Sequence, residues 1–143
     1  MNMLVASLTF VPLLMVSLAH LLWSFGNTWP IRSETLLAQT VVGRAGITRM
    51  PNRGITFVIA LLIFAIGLVA LWLADPVSGG APMTLLGALL AIVFIARGIA
   101  TYTTAWRARF PTEPFATLDR KNYGPLCFWI GAGFLILVLM RVL

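Results

Sequence analysis

Four stretches of this chain are long and apolar enough to be read as helices crossing a bilayer. They run over about residues 3–25, 55–73, 83–102 and 123–143, and among Lys, Arg, His, Asp and Glu they hold only His20, Arg97 and, near the far end, Arg141. A helix rises about 1.5 Å per residue, so some twenty apolar residues cross a hydrocarbon core about 30 Å thick. Hydrophobic residues make up 60% of the chain and charged ones 10%, against about 25% charged in a soluble domain. A water-soluble fold of this length has no way to hide that much apolar surface. The expected fold is therefore all-α, an integral membrane bundle of four transmembrane helices in a single domain, residues 1–143. Pro12 interrupts the first run, which membrane helices tolerate. Ser17 and Ala19 would suit a signal-peptide cleavage site, but no Lys or Arg precedes the run, and a retained helix is expected.

The net charge of +6 would ordinarily raise nucleic-acid binding. Its distribution argues otherwise. Arg32, Arg44, Arg49 and Arg53 fall in the connection 26–54, and Arg107, Arg109, Arg120 and Lys121 in the connection 103–122, whereas the turn 74–82 has no Lys or Arg. Such clustering is the signature of loops kept in the cytoplasm, which puts both termini on the outer side. Trp23, Trp29 and Trp106 then flank the inner interface and Trp72 the outer one. Within the first connection, Ser33 is a plausible N-cap for a short helix reaching Val42. Leu36, Leu37 and Val41 are expected toward the bilayer surface, with Gly43 as its stop. Gly131 and Gly133 offer close helix contact in the fourth span.

His20 and Arg97 are the ionisable side chains well inside the expected spans. Each lies five residues before the inner end of its helix, so both sit at a similar depth, about 7–8 Å below the interface by helical rise. An arginine in a span is expected to be paired, functional, or snorkelling to the interface. Asp119, four residues before Tyr123, is positioned to form a bidentate pair with Arg97. Tyr102 and Tyr123 add phenols at the same level. The set His20, Arg97, Tyr102, Asp119 and Tyr123 sketches a polar pocket for a lipid headgroup, an isoprenoid phosphate or a quinone ring. The alternative is a set of interhelical hydrogen bonds. Cys127 reads as a small packing residue.

Other chemistries find no support. One His cannot supply bis-histidine haem ligation, and one Cys cannot hold an iron–sulfur cluster. No residue group has zinc spacing, and neither GxxxxGK[ST] nor GxGxxG occurs. His20 has no acid within its own span to suggest a Ser–His–acid set. With the fourth span starting at Tyr123, no acid lies in any span, which weakens proton-coupled transport. No cofactor is expected.

Several segments resemble a known family. They are His20 with Trp23, Val42-Gly43-Arg44 through Met50-Pro51, Arg97-Gly98, Phe115-Ala116, Leu118-Asp119 and Tyr123-Gly124-Pro125-Leu126-Cys127. Together they are similar to the small bacterial four-helix membrane proteins catalogued as domain-of-unknown-function family 3995, although Gly124 stands where that pattern has Ser. The resemblance covers nearly the whole chain. It implies four spans in a bacterial cytoplasmic membrane and brings no activity. The leading expectation is a non-enzymatic accessory or ligand-binding protein. It would work with membrane lipids, an apolar cofactor, a larger membrane complex or copies of itself. A membrane enzyme on a lipid or isoprenoid substrate, with His20 as acid/base, Arg97 holding an anionic group and Asp119 orienting it, is the alternative. A transporter or channel subunit is the third.

Overall fold

The computed structural model describes all residues, Met1–Leu143. It is a bundle of four long helices: α1 (Asn2–Ser24), α3 (Arg53–Leu73), α4 (Gly80–Ala100) and α7 (Gly124–Val142). Shorter helices α2 (Glu34–Val41), α5 (Thr104–Arg109) and α6 (Phe115–Leu118) lie in the basic connections. A π-helical turn, Asp119–Tyr123, joins α6 to α7. No strand is present, and the four long elements are long and apolar enough to cross a membrane. The chain is a multi-pass membrane protein. Its surface agrees: Leu4, Leu62, Leu85, Ile92 and Trp129 are among many large apolar side chains left exposed on these helices.

The helices pack as two pairs, α1 on α3 and α4 on α7, joined mainly along an α1–α7 seam. Small residues set the spacing. A Cβ on Gly133 would lie 2.0 Å from Thr9 Oγ1, so only glycine lets α1 and α7 meet there. Gly131 similarly admits Ile95 of α4. Ser17 in α1 donates to the Ala60 carbonyl of α3 at 2.8 Å, a buried interhelical bond. The apolar core joins Ala6, Leu13, Ala70, Leu73, Ala91, Ile130, Phe134 and Leu137. These residues lie toward the middle of the bundle and the end bearing the termini. At that end Arg141 donates to the carbonyls of Asp75 and Ser78 and to Thr84 Oγ1, tying α7 to the 74–79 turn.

Two prolines leave helical carbonyls without their usual donors, and side chains from elsewhere fill both vacancies. Pro12 has no N–H for the Leu8 carbonyl one turn earlier, and Trp129 Nε1 of α7 donates to it at 3.0 Å. Pro125 cannot continue the wider i→i+5 pattern of the preceding π turn to the Arg120 carbonyl. Tyr102 donates its hydroxyl there at 3.0 Å.

The expected short helix is present. Ser33 accepts from the Leu36 amide, and Gly43 follows α2 with a φ of 69°. Leu37 does not face the bilayer surface as expected: it is buried within the protein, while Leu36 is exposed. The fourth long helix departs most from expectation. It begins at Phe115, not Tyr123. Glu113 accepts from the Thr117 amide and hydroxyl at 3.1 and 3.0 Å, which stabilises this earlier start. The π turn absorbs Pro125, so the helix runs through polar residues that read as loop. Asp119 is therefore inside the fourth helix, not in the connection before it.

The Pro12–Trp129 arrangement predicts a specific coupling. Trp129→Phe should cost about 1 kcal/mol, the net value of one hydrogen bond. In a Pro12→Ala background the new alanine supplies its own N–H to the Leu8 carbonyl, and the same change should cost well under half as much. Unfolding of the four variants in mild detergent measures the difference.

Candidate functional site

The site lies at the end of the bundle carrying the basic connections. A cavity of about 310 Å³ opens there between α1, α3, α4 and the three short helices. Its polar side chains include His20, Arg44, Arg97 and Trp106, and its apolar wall includes Val41, Val42, Met50, Ile59, Phe110 and Phe115. A second crevice of about 250 Å³ lies on the other side of Trp106, bounded by Thr101, Glu113, Asp119 and Arg120.

Trp106 borders both spaces, and Arg97 lines the larger one. One guanidinium nitrogen donates to Asp119 Oδ1 at 2.7 Å and the other to Thr101 Oγ1. The guanidinium carbon stands 4.2 Å from the centre of the Trp106 ring, a cation–π contact. The expected bidentate pair is not formed. Trp106 Nε1 takes the second carboxylate oxygen, Oδ2, at 2.9 Å. Asp119 is thus held by a cation on one oxygen and an indole on the other, and it is only 2% exposed. The Arg97 side chain keeps 28% of its surface accessible, so the pair is buried on the acid's side and open on the base's side. Two of the five guanidinium donors are committed, leaving the rest for another group.

His20 lines the same cavity as Arg97. Its Nδ1 is 2.8 Å from the Val16 carbonyl one turn earlier. A carbonyl only accepts, so Nδ1 carries a proton, and in the neutral ring this leaves Nε2 as a lone-pair acceptor. The ring packs against Trp23 at 4.9 Å between centroids.

The two phenols are placed elsewhere. Tyr102 is exposed, with its hydroxyl on the Arg120 carbonyl. Tyr123 donates to the Thr40 carbonyl at 3.1 Å, docking the C-terminal end of α2. Neither lines the larger cavity, and Asp119 faces the smaller crevice. The structure thus brings His20 to Arg97 and Arg97 to Asp119, while both tyrosines hold backbone. No group of His, Cys, Asp and Glu is arranged to hold a metal ion.

Two cavity residues escaped the sequence reading. Trp106 was expected only as an interfacial ring, and its link to Asp119 depends on α5 folding back beneath α4. Arg44 is one of four arginines in its connection; the Val42-Gly43-Arg44 segment belongs to the family resemblance, but nothing local assigns it to the pocket. It is picked out by a fold of the chain. Thr112, from the other basic connection, donates its amide to the Gly43 carbonyl at 3.2 Å and its hydroxyl to the Arg44 carbonyl at 2.8 Å. A Cβ on Gly43 would fall 2.2 Å from the Phe115 ring, so glycine permits this close stacking of the two connections.

Residues 13–134 match the family described as "Protein of unknown function (DUF3995)". The chain belongs to that family. The matched span includes His20, Arg44, Arg97, Trp106 and Asp119, and its description assigns them no activity. Neither the curated proteins nor the solved structures give a match.

The unequal burial of the ion pair yields an asymmetric prediction. Arg97→Met leaves the buried Asp119 carboxylate without its cation and should cost about 3–5 kcal/mol, the range for breaking a buried pair. Asp119→Leu leaves Arg97 able to reach solvent and should cost distinctly less. The double replacement should recover part of the Arg97→Met loss. Equal losses in both single variants, measured by unfolding in detergent, would contradict this burial pattern.

Proposed function

We propose that this protein is a non-enzymatic membrane protein that holds an amphipathic ligand in the cavity between α1, α3 and α4, acting as an accessory to lipid or to a membrane complex. The observation that carries the reading is the composition of that cavity. A partly uncommitted guanidinium and an imidazole acceptor share an otherwise largely apolar and aromatic enclosure. Its volume is at the small end of the range for ligand sites, about 300–1,000 Å³. Helix packing alone would favour filling such a space, because each void forfeits dispersion contacts.

Native mass spectrometry of protein released gently from its own membrane tests the reading. The wild-type chain is expected to carry a defined small amphiphile. Ile59→Trp, which fills the apolar wall, should lose it while unfolding at nearly the same temperature. A bare protein with only exchangeable bulk lipid would count against a tightly held ligand.

The enzymatic reading draws on the same cavity, with His20 Nε2 as its free base. It is less favoured because Asp119, the acid expected to serve it, is committed to Arg97 and Trp106.

The charge pattern supports placement in a bacterial cytoplasmic membrane with both basic connections inside. Alkaline phosphatase, which folds only outside the cytoplasm, should then be active when fused after Leu143 and inactive when fused within residues 103–122.

A further inference from the structure

We propose that the ligand of the larger cavity is a phosphodiester lipid with one negative charge and a neutral, hydroxylated head. The inference rests on the cavity being a ligand site and specifies the ligand from the polar capacity left in its walls.

Most polar groups facing the cavity are already satisfied. Trp23 Nε1 donates to the Trp29 carbonyl at 2.8 Å, Trp106 Nε1 to Asp119 at 2.9 Å, and the Thr56 hydroxyl to the Asn52 carbonyl at 3.1 Å. Three wall residues keep polar capacity: Arg97 in its uncommitted N–H groups, Arg44, an exposed residue at the rim, in its guanidinium, and His20 in Nε2. The Arg44 guanidinium makes no hydrogen bond or ion pair within the protein, and its backbone is held in place by Thr112.

Charge then selects the head. Arg97 is matched by Asp119, Arg44 has no matching acid, and no carboxylate lines this cavity. With His20 neutral, the walls carry one positive charge in excess. A phosphodiester supplies one negative charge, whereas a phosphomonoester carries about −1.5 to −2 near neutral pH. Guanidinium groups suit phosphate oxygens, which accept several N–H bonds at once. His20 Nε2 can only accept, so the group beyond the phosphate must donate, as a hydroxyl does. An ammonium head would bring a cation beside two guanidiniums. The apolar wall formed by Val41, Val42, Met50 and Ile59 receives the start of the chains, since the volume admits a head and a few carbons only.

The test is a titration of delipidated protein in detergent, read by native mass spectrometry. The lipids are dioleoylphosphatidylglycerol, dioleoylphosphatidylmethanol and dioleoylphosphatidylethanolamine. Deacylated glycerophosphoglycerol serves as the soluble competitor. The glycerol lipid should bind roughly tenfold tighter than the ethanolamine lipid, as charge complementarity at a partly open site allows. Arg44→Gln should remove most of that preference without changing the lipid-free unfolding temperature, because its guanidinium holds nothing in the fold. The glycerol head should also bind severalfold better than the methanol head, and His20→Phe should abolish this second preference.

Equal binding of all three lipids, lost in Ile59→Trp, would overturn the head assignment and leave the cavity reading standing. No specific binding of any lipid would overturn both. Displacement by equimolar glycerophosphoglycerol would show a soluble phosphodiester as the ligand and overturn the lipid assignment.

Discussion

A carboxylate that is almost fully buried among apolar helices must be met by a cation and by hydrogen-bond donors, or it will not stay ionised. Asp119 is met by Arg97 on one oxygen and Trp106 on the other. Much of the basic end of the bundle follows from that requirement. Trp106 reaches Asp119 only because α5 turns back under the end of α4, and the same indole then lies over Arg97. Tyr102 closes the turn from the opposite side by bonding the Arg120 carbonyl. The interaction is therefore a junction of α4, α5 and the π turn, and it separates the larger cavity from the smaller crevice.

The two ends of the bundle are built on different terms. Toward the termini, small residues allow helices to close on Leu13, Leu73, Phe134 and Leu137, and Arg141 secures the turn. In a membrane, where lipid tails are as apolar as leucine, such packing and interhelical hydrogen bonds supply the association. At the basic end, short elements from the two connections pack with the long helices around the cavity. Gly43 against Phe115, and Thr112 on the Gly43 and Arg44 carbonyls, join those connections into one cap. A partly open cavity walled by a stitched cap is a more specific structure than a cleft between loose loops. Arg44 owes its place over the cavity to that stitching.

The distribution of polar groups bears on what such a cavity is for. Both phenols of the expected set, and both indole N–H groups on the cavity wall, are committed to backbone or to Asp119. Those residues are architectural. The uncommitted groups are the rest of the Arg97 guanidinium, the Arg44 guanidinium and one imidazole nitrogen, and the proposed ligand is an acceptor-rich, singly anionic partner with a donor of its own. That reading treats Arg97 as serving two roles. One edge of its guanidinium neutralises Asp119, and the remainder faces the space shared with His20.

The number of spans, the helical class, the Ser33 cap and the position of the Gly43 stop were legible in the sequence. Each depends on local apolar length or on the chemistry of one or two neighbouring residues. That His20 and Arg97 meet at one end of the bundle was legible too, because helical rise converts sequence position into height along a helix. Three features needed the tertiary structure. The early start of the fourth helix was hidden because Asp119–Asn122 reads as loop, and only the π turn with its Tyr102 contact carries the helix past Pro125. The loss of bidentate geometry was hidden because Trp106 competes for Asp119 from a separate short helix. The place of Arg44 at the cavity was hidden because its backbone is held by Thr112, 68 residues away in sequence. Hydrophobic length and charge placement along the chain therefore determined that it is a four-helix membrane protein. Which polar groups were consumed by the fold, and which were left free in a cavity, was decided by long-range contacts that no local pattern encodes.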